Sequence, residues 1–173
     1  PYPETVQQSR DRYTDTASGG TKMTKKNPPA EKVYEAFSAV ADSRIRMYED
    51  YALIDSSDRS KTYEVSWKDD VYASSDNATY WQGYPGYPVI AVLMKQGKLS
   101  CDEAVCMKMK GVPWKQLNDR HKRNYAEAVK EVLENLKQQG AETADITALA
   151  ETVNNELIIF LILFFIFFIL SRK

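Results

Sequence analysis

Hydrophobic positions along the chain fall into three patterns: stripes at helical spacing, one short alternation, and one unbroken run. The run is the plainest. Fourteen Leu, Ile and Phe follow one another from Leu157 to Leu170. A helix of that composition is apolar on every side, so hydrocarbon is its expected solvent. Fourteen helical residues reach about 21 Å, short of a bilayer core of roughly 30 Å. Composition favours insertion by about 4–8 kcal/mol. The flanks extend the reach, since a helix from Val153 to Lys173 is about 31 Å long. Asn154, Asn155 and Glu156 then meet one interface, while Arg172 and Lys173 snorkel to the other. The expected anchor comprises Leu157, Ile158, Ile159, Phe160, Leu161, Phe164, Phe165, Phe167, Phe168 and Leu170, with Arg172 and Lys173 as its basic end.

Upstream, Asn27 is a good N-cap, and Pro28 and Pro29 suit a first helical turn. Val33, Phe37, Val40 and Ala41 recur at helical spacing, and Ile45, Tyr48 and Leu53 extend the stripe. The pattern predicts a helix from 28 to about 50. A polar break, DSSDRS, follows at 55–60. Tyr63, Val65 and Trp67 then alternate, Lys68-Asp69-Asp70 is a turn signal, and Val71-Tyr72-Ala73 suits a return strand. A short β-hairpin is expected there, followed by a loop over 74–88 rich in Gly, Pro and aromatics.

Residues 84–140 read as a three-helix module. Pro88 starts a helix through VIAVLMKQ and Gly97 ends it, although VIAVL also suits a strand. Ser100 and Glu103 have capping-box spacing ahead of Ala104, Val105, Met107 and Met109, with Gly111 as the close. Pro113 opens PWKQLN, and a last helix is expected from about Asn118 to Gln139 with Gly140 as its C-cap. The helical core is predicted to be Trp114, Leu117, Tyr125, Val132 and Leu136. The expected layout is a polar arm (1–27), a helix plus hairpin region (28–83), the module (84–140), a stalk (141–156) and the anchor (157–170). The fold class is mostly α, a small helical domain with a short hairpin and a single C-terminal transmembrane helix.

Charge is nearly balanced, with 23 basic and 24 acidic residues, which gives no global argument for nucleic acid. The first twenty residues are polar throughout and do not read as a signal peptide. A protein with only a C-terminal anchor inserts after synthesis, so the domain is expected on the cytosolic side and the sequon Asn77-Ala78-Thr79 unmodified. Cys101 and Cys106 stand five apart on different helical faces and are expected to be reduced.

No catalytic set is evident. His121 lies alone on the helix stripe between Leu117 and Tyr125, a half-buried polar residue. Asp69 and Asp70 are adjacent and point apart, unlike an acid/base pair. Gly19-Gly20 lacks the strand, helix and Lys of a phosphate loop. With one His there is no zinc set. No enzyme activity, cofactor or metal is therefore expected. Aromatics cluster at 72–87, where Tyr72, Tyr80, Trp81, Tyr84 and Tyr87 either form a docking surface for a partner or cover the module's own core.

Two resemblances sharpen the picture. GVPWKQLNDRHKRNYAEAV resembles the second half of an HMG box, through Trp114, Leu117, Lys122 and Tyr125 in that order. The resemblance implies minor-groove DNA binding. The opening half of the box is not matched, so nucleic acid is not the expected partner. GYPGYPVIAVLMKQGKL, GVPWKQLNDRHKRNY and the Phe/Ile/Leu anchor together look similar to membrane-linked minor capsid proteins of large algal icosahedral DNA viruses. That resemblance implies a structural protein between a capsid shell and an inner membrane. The expected function is a non-enzymatic, membrane-anchored adaptor whose partners are the bilayer and proteins of a large assembly. The alternative setting is an accessory subunit of an organellar, mitochondrial membrane complex.

Overall fold

A computed structural model describes the backbone of residues 26–170 and side chains to Phe164. The expected arm lies outside these residues apart from its last two, as do Arg172, Lys173 and the side chains of Phe165, Phe167, Phe168 and Leu170.

Helix α1 (Lys32–Ala41) carries the predicted stripe and is buried along its whole length. It stops far short of residue 50. Ser43 turns left-handed (φ 52°), and the Arg44 amide returns to the Ala39 carbonyl at 3.0 Å. Ile45, Arg46 and Met47 then form strand β1 (Ile45–Met47), paired antiparallel with β2 (Tyr51–Asp55). The expected long helix is thus corrected to a helix and a hairpin. Its stripe was compatible with either element. Burial of the Arg44 side chain (2% exposed), with Nη1 on the Asp55 carbonyl at 2.7 Å, ties this segment to the sheet. Tertiary pairing outweighs local propensity here.

β3 (Thr62–Lys68) and β4 (Val71–Ser74) form the predicted hairpin, with Trp67 opposite Tyr72. Asp69 and Asp70 have φ of 51° and 63°, the left-handed pair that a tight hairpin turn requires. The hairpin is half of a four-stranded antiparallel meander in the order β1-β2-β3-β4. Helix-rich with this one sheet, the fold keeps the mostly α character that the sequence predicts.

Pro88 does open α2 (Tyr87–Lys95), and Gly97 follows its end at φ 71°. Helix α3 (Glu103–Met107) is capped by Asp102, whose Oδ1 accepts from the Val105 amide at 3.1 Å. The capping-box reading of Ser100 is corrected: its N and Oγ donate to Glu156 at 2.7 and 2.6 Å instead. The single helix expected from 118 to 139 is also corrected, into α4 (Trp114–Arg120) and α5 (Tyr125–Gln138). Lys122 and Arg123 are both left-handed between them, and Asn124 caps α5. The break lets Trp114 and Leu117 on one helix, and Ala128, Val129 and Val132 on the next, enter the same core. His121 is half-buried, as predicted, and its Nε2 lies 2.6 Å from Glu131 across the break.

The stalk is a correction too. Helix α6 (Ala144–Leu170) is continuous, and Ile146, Ala150, Val153 and Leu157 form a buried stripe along its first half. The Phe160 ring meets Tyr72 of β4 edge-on at 6.1 Å. One apolar cluster runs from Val33 to Leu157, across every boundary drawn from the sequence between 28 and 157. Beyond it Ile159, Ile162 and Leu163 are exposed. Within α6, Ala144–Phe164 is long and apolar enough to cross a membrane by length and composition. Val153 and Leu157 are nevertheless solvated by protein, so a lipid segment starting at Val153 is ruled out. Ile158 to Leu170 supplies about 20 Å of helix.

Two outcomes follow. Leu157→Ala should lower unfolding stability by about 2–5 kcal/mol, the usual cost of a cavity at a fully buried Leu; a free stalk would leave a denaturant titration unmoved. Second, hydrogen bonds from Arg46 (2.6 and 3.0 Å) hold the Asp55 carboxyl at about 2, with Thr62 adding another. A depressed carboxyl stabilises the fold above its unfolded pKa, and that stabilisation is lost as pH falls through the folded value. Asp55→Asn should therefore be less stable at pH 7 and lose less than the parent between about pH 4 and pH 2, read by thermal melts across that range.

Candidate functional site

Polar side chains that α1 carries inward need partners, and three loop segments supply them. The 56–61 loop, the 76–86 loop, and α4 with the break after it converge over the first turn of α1. They enclose a cleft of about 270 Å³.

Its floor is ionic. Lys32 and Glu35 are 7% and 6% exposed and pair at 2.7 Å. The Lys32 ammonium also sits 3.7 Å from the centre of the Tyr125 ring. Burial alone would lower the Lys32 pKa, but Glu35 and the ring environment more than offset it and the net direction is up. The ammonium therefore stays charged. The Asn118 Nδ2 donates to Glu35 at 3.1 Å, which fixes the amide's orientation. Behind this pair, Tyr87 is half-buried with its ring edge-on to Tyr63 (6.2 Å). Burial drives the Tyr87 phenol well above its ordinary value, so it stays neutral.

The walls are loops that hydrogen-bond to themselves. Asp58 accepts from Ser56 Oγ at 2.8 Å, from Ser60 Oγ at 2.7 Å and from the Ser60 amide at 3.1 Å. Lys115 of α4 closes on the same carboxylate at 2.7 Å and, with the serines, holds it well below the usual carboxylate range. Opposite, Asp76 accepts from the Ala78 and Thr79 amides at 2.9 and 3.1 Å, and from Thr79 Oγ1 at 2.6 Å. Thr79 Oγ1 in turn accepts from the Gly86 amide at 3.1 Å. Gly86 is required by contact: a Cβ there would lie 2.2 Å from Asp76 Oδ1.

Two buried polar atoms have no partner among the described residues: Trp114 Nε1 and Asn118 Oδ1. They belong to residues one turn apart on α4, both lining the cleft. A buried N–H and a buried carbonyl left unmet cost about 1–3 kcal/mol each.

The five aromatics singled out in the sequence do not form one surface. Tyr72 and Tyr84 are each 4% exposed and belong to the interior. The Tyr72 hydroxyl donates to Gln96 at 2.5 Å and accepts from Lys98 at 2.7 Å. Tyr80 and Trp81 stand exposed on a short π-helical turn, packed edge-on with centroids 4.7 Å apart. Tyr87 alone lines the cleft. Of the predicted helical core, Trp114, Leu117 and Val132 are buried and Leu136 packs against them. Tyr125 is half-buried, and with Trp114 it faces the cleft, a role not read from the sequence. The Asp-centred loops SSDRS and SSDNAT were a legible signal, because Asp with Ser or Thr two or three residues on favours self-bonded turns. Cys101 is exposed and Cys106 buried, both free thiols; burial pushes Cys106 up to about 12.

Gly86→Ala should force the 76–86 loop off Asp76 and destabilise the fold by about 1–3 kcal/mol, the range for overpacking. Gly111→Ala is a poor control because of its positive φ; Ala126→Ser on the exposed side of α5 should be nearly silent in the same melt.

The chain belongs to the family described as "Uncharacterised conserved protein UCP014422", whose model matches residues 25–161. That span ends beside Phe160 and Leu161, which still pack against the core. No curated protein and no solved structure matches the chain.

Proposed function

We propose that this member of the family is a membrane-anchored, non-enzymatic binding domain that links a lipid bilayer to a protein assembly. The observation that carries the reading is α6. One uninterrupted helix is core along Ile146, Ala150, Val153 and Leu157 and apolar all round beyond Leu157. A soluble domain gains nothing from exposed Ile159, Ile162 and Leu163 leading into a run of Phe, Ile and Leu; a bilayer or an apolar partner gains all of it. Because the helix is docked before it leaves the domain, the globular part sits close against the lipid surface, held rigidly.

Exposed Tyr80 and Trp81 are the candidate contacts to a partner protein, being large amphipathic rings with little of their own surface committed. Binding rather than chemistry is favoured by the way close partners occupy the side chains of Lys32, Glu35, Asp58 and Asp76. An HMG-like use of 111–129 is disfavoured, since Trp114 and Leu117 are spent in the core. The fold carries no feature that favours a capsid over an organellar setting, so the proposed address is a membrane surface. A cytosolic orientation remains part of the proposal.

Expressed in full, the chain should stay with vesicles through a wash in alkaline carbonate, and a version ending at residue 161 should be released while still melting cooperatively. Release of the full chain by carbonate would refute anchoring in lipid.

A further inference from the structure

We propose that the cleft between the 56–61 loop, the 76–86 loop and α4 binds a small hydroxylated anion, of the chemical class of sugar acids and sugar phosphates. The inference stands apart from how the chain is anchored.

Charge gives the sign of the ligand. Five basic and three acidic side chains line the cleft. Lys32 is taken by Glu35, Arg44 by Asp42 and Lys115 by Asp58. The Asp76 carboxylate is filled by the amides and hydroxyl of its own loop. What remains without an ion pair among the described residues is Lys61 and Arg123 on the rim, against Asp119. The balance favours a ligand carrying a negative group at the mouth.

Backbone strain points to the same rim. Arg123 (φ 65°) and Lys122 (φ 51°) are consecutive left-handed residues without glycine, and Arg59 (φ 57°) holds the facing loop. Such conformations are strained for a residue with a side chain and persist where the surrounding structure holds them. Here the strain places Arg123 at the cleft instead of continuing a helix.

The unmet atoms on α4 describe the other end of the ligand. Among the described residues, Trp114 Nε1–H is a donor without an acceptor. Asn118 Oδ1 is an acceptor without a donor, and the bond from Asn118 Nδ2 to Glu35 keeps it so. Both atoms are closed to solvent, so a ligand hydroxyl meets them where the side chains over them yield, accepting from the one or donating to the other. Tyr63, Tyr87, Trp114 and Tyr125 add aromatic surface among these polar groups. A cleft of about 270 Å³ lies just below the usual range for drug-sized ligands, and so suits a single small ring.

The test is calorimetric titration of the full chain, in a detergent without a sugar headgroup, with four probes: glucuronate, glucose 6-phosphate, glucose and inorganic phosphate. Glucuronate or glucose 6-phosphate should bind at least tenfold tighter than glucose and than inorganic phosphate. Whichever of the two binds tighter identifies the anionic group as carboxylate or phosphate. Lys61→Gln and Arg123→Gln, both at exposed positions, should each weaken that binding about threefold to fivefold, and Trp114→Phe about tenfold. Thermal melts establish that each variant is folded. No binding of either sugar anion overturns the proposal, as does equal binding of glucose or of inorganic phosphate. Affinity unchanged in a Lys61→Gln/Arg123→Gln double variant overturns it as well.

Discussion

A ten-residue helix without an exposed face is the constraint on which this fold depends. Every residue of α1 is buried, and Lys32, Glu35 and Ser38 go in with the rest. They stand three apart, so they share one side, while Val33, Phe37 and Val40 belong to the apolar core. A buried ion costs several kcal/mol unless it is paired and hydrogen-bonded. The surrounding elements meet that demand: Tyr125 and Asn118 close over the Lys32–Glu35 pair, and Asp42, Ser38 and the Asp55 carbonyl enclose Arg44. The cleft is where the polar side of α1 reaches the surface. Its position is therefore a consequence of core packing rather than an addition to it.

The same helix connects to the apolar segment. Tyr34, between Lys32 and Glu35 on α1, lies beside Thr147 of α6. Lys108 holds the start of α6 through Asp145 at 2.6 Å and the Glu142 carbonyl at 3.0 Å. Glu156 holds its middle through Ser100. Polar ties at two heights and a four-residue apolar stripe fix both the tilt and the rotation of α6 on the domain. The direction in which the Leu/Ile/Phe run leaves the domain is thus set by the fold.

Much of this was legible in the sequence. The 157–170 run, the hairpin at 62–74, Pro88 and Gly97 at the ends of α2, and Gly140 beyond α5 all report local chemistry that tertiary contacts do not override. The misreadings share one cause. Ile45 and Tyr48 continued a helical stripe, and 118–139 had helical periodicity, because a stripe of apolar residues records which side is buried and not whether the chain turns midway. Both turns use left-handed residues other than Gly: Ser43 in one, Lys122 and Arg123 in the other. Such residues give no compositional signal. The stalk was misread for a related reason. Ile146, Ala150, Val153 and Leu157 have helical spacing, yet Asn154, Asn155 and Glu156 between them suggested an interface with water. Glu156 is instead a cap for Ser100, a partner 56 positions away that no local window reveals.

The cleft was the least legible feature, for a physical reason. Its parts come from four stretches of chain, and each part looks structural alone. Trp114 reads as core, Asp58 and Asp76 as turn residues, and Lys61 and Arg123 as solvated charges. Those readings are locally right, since Trp114 is buried and both Asp side chains do hold turns. What changes their meaning is the unmet remainder. Among the described residues, Trp114 Nε1 and Asn118 Oδ1 lack partners in a neighbourhood where Ser, Thr, Asp and Lys satisfy one another at 2.6–3.1 Å. A site so fully bonded elsewhere that leaves one donor and one acceptor unmet on a single helix turn is where this fold keeps bonding capacity in reserve.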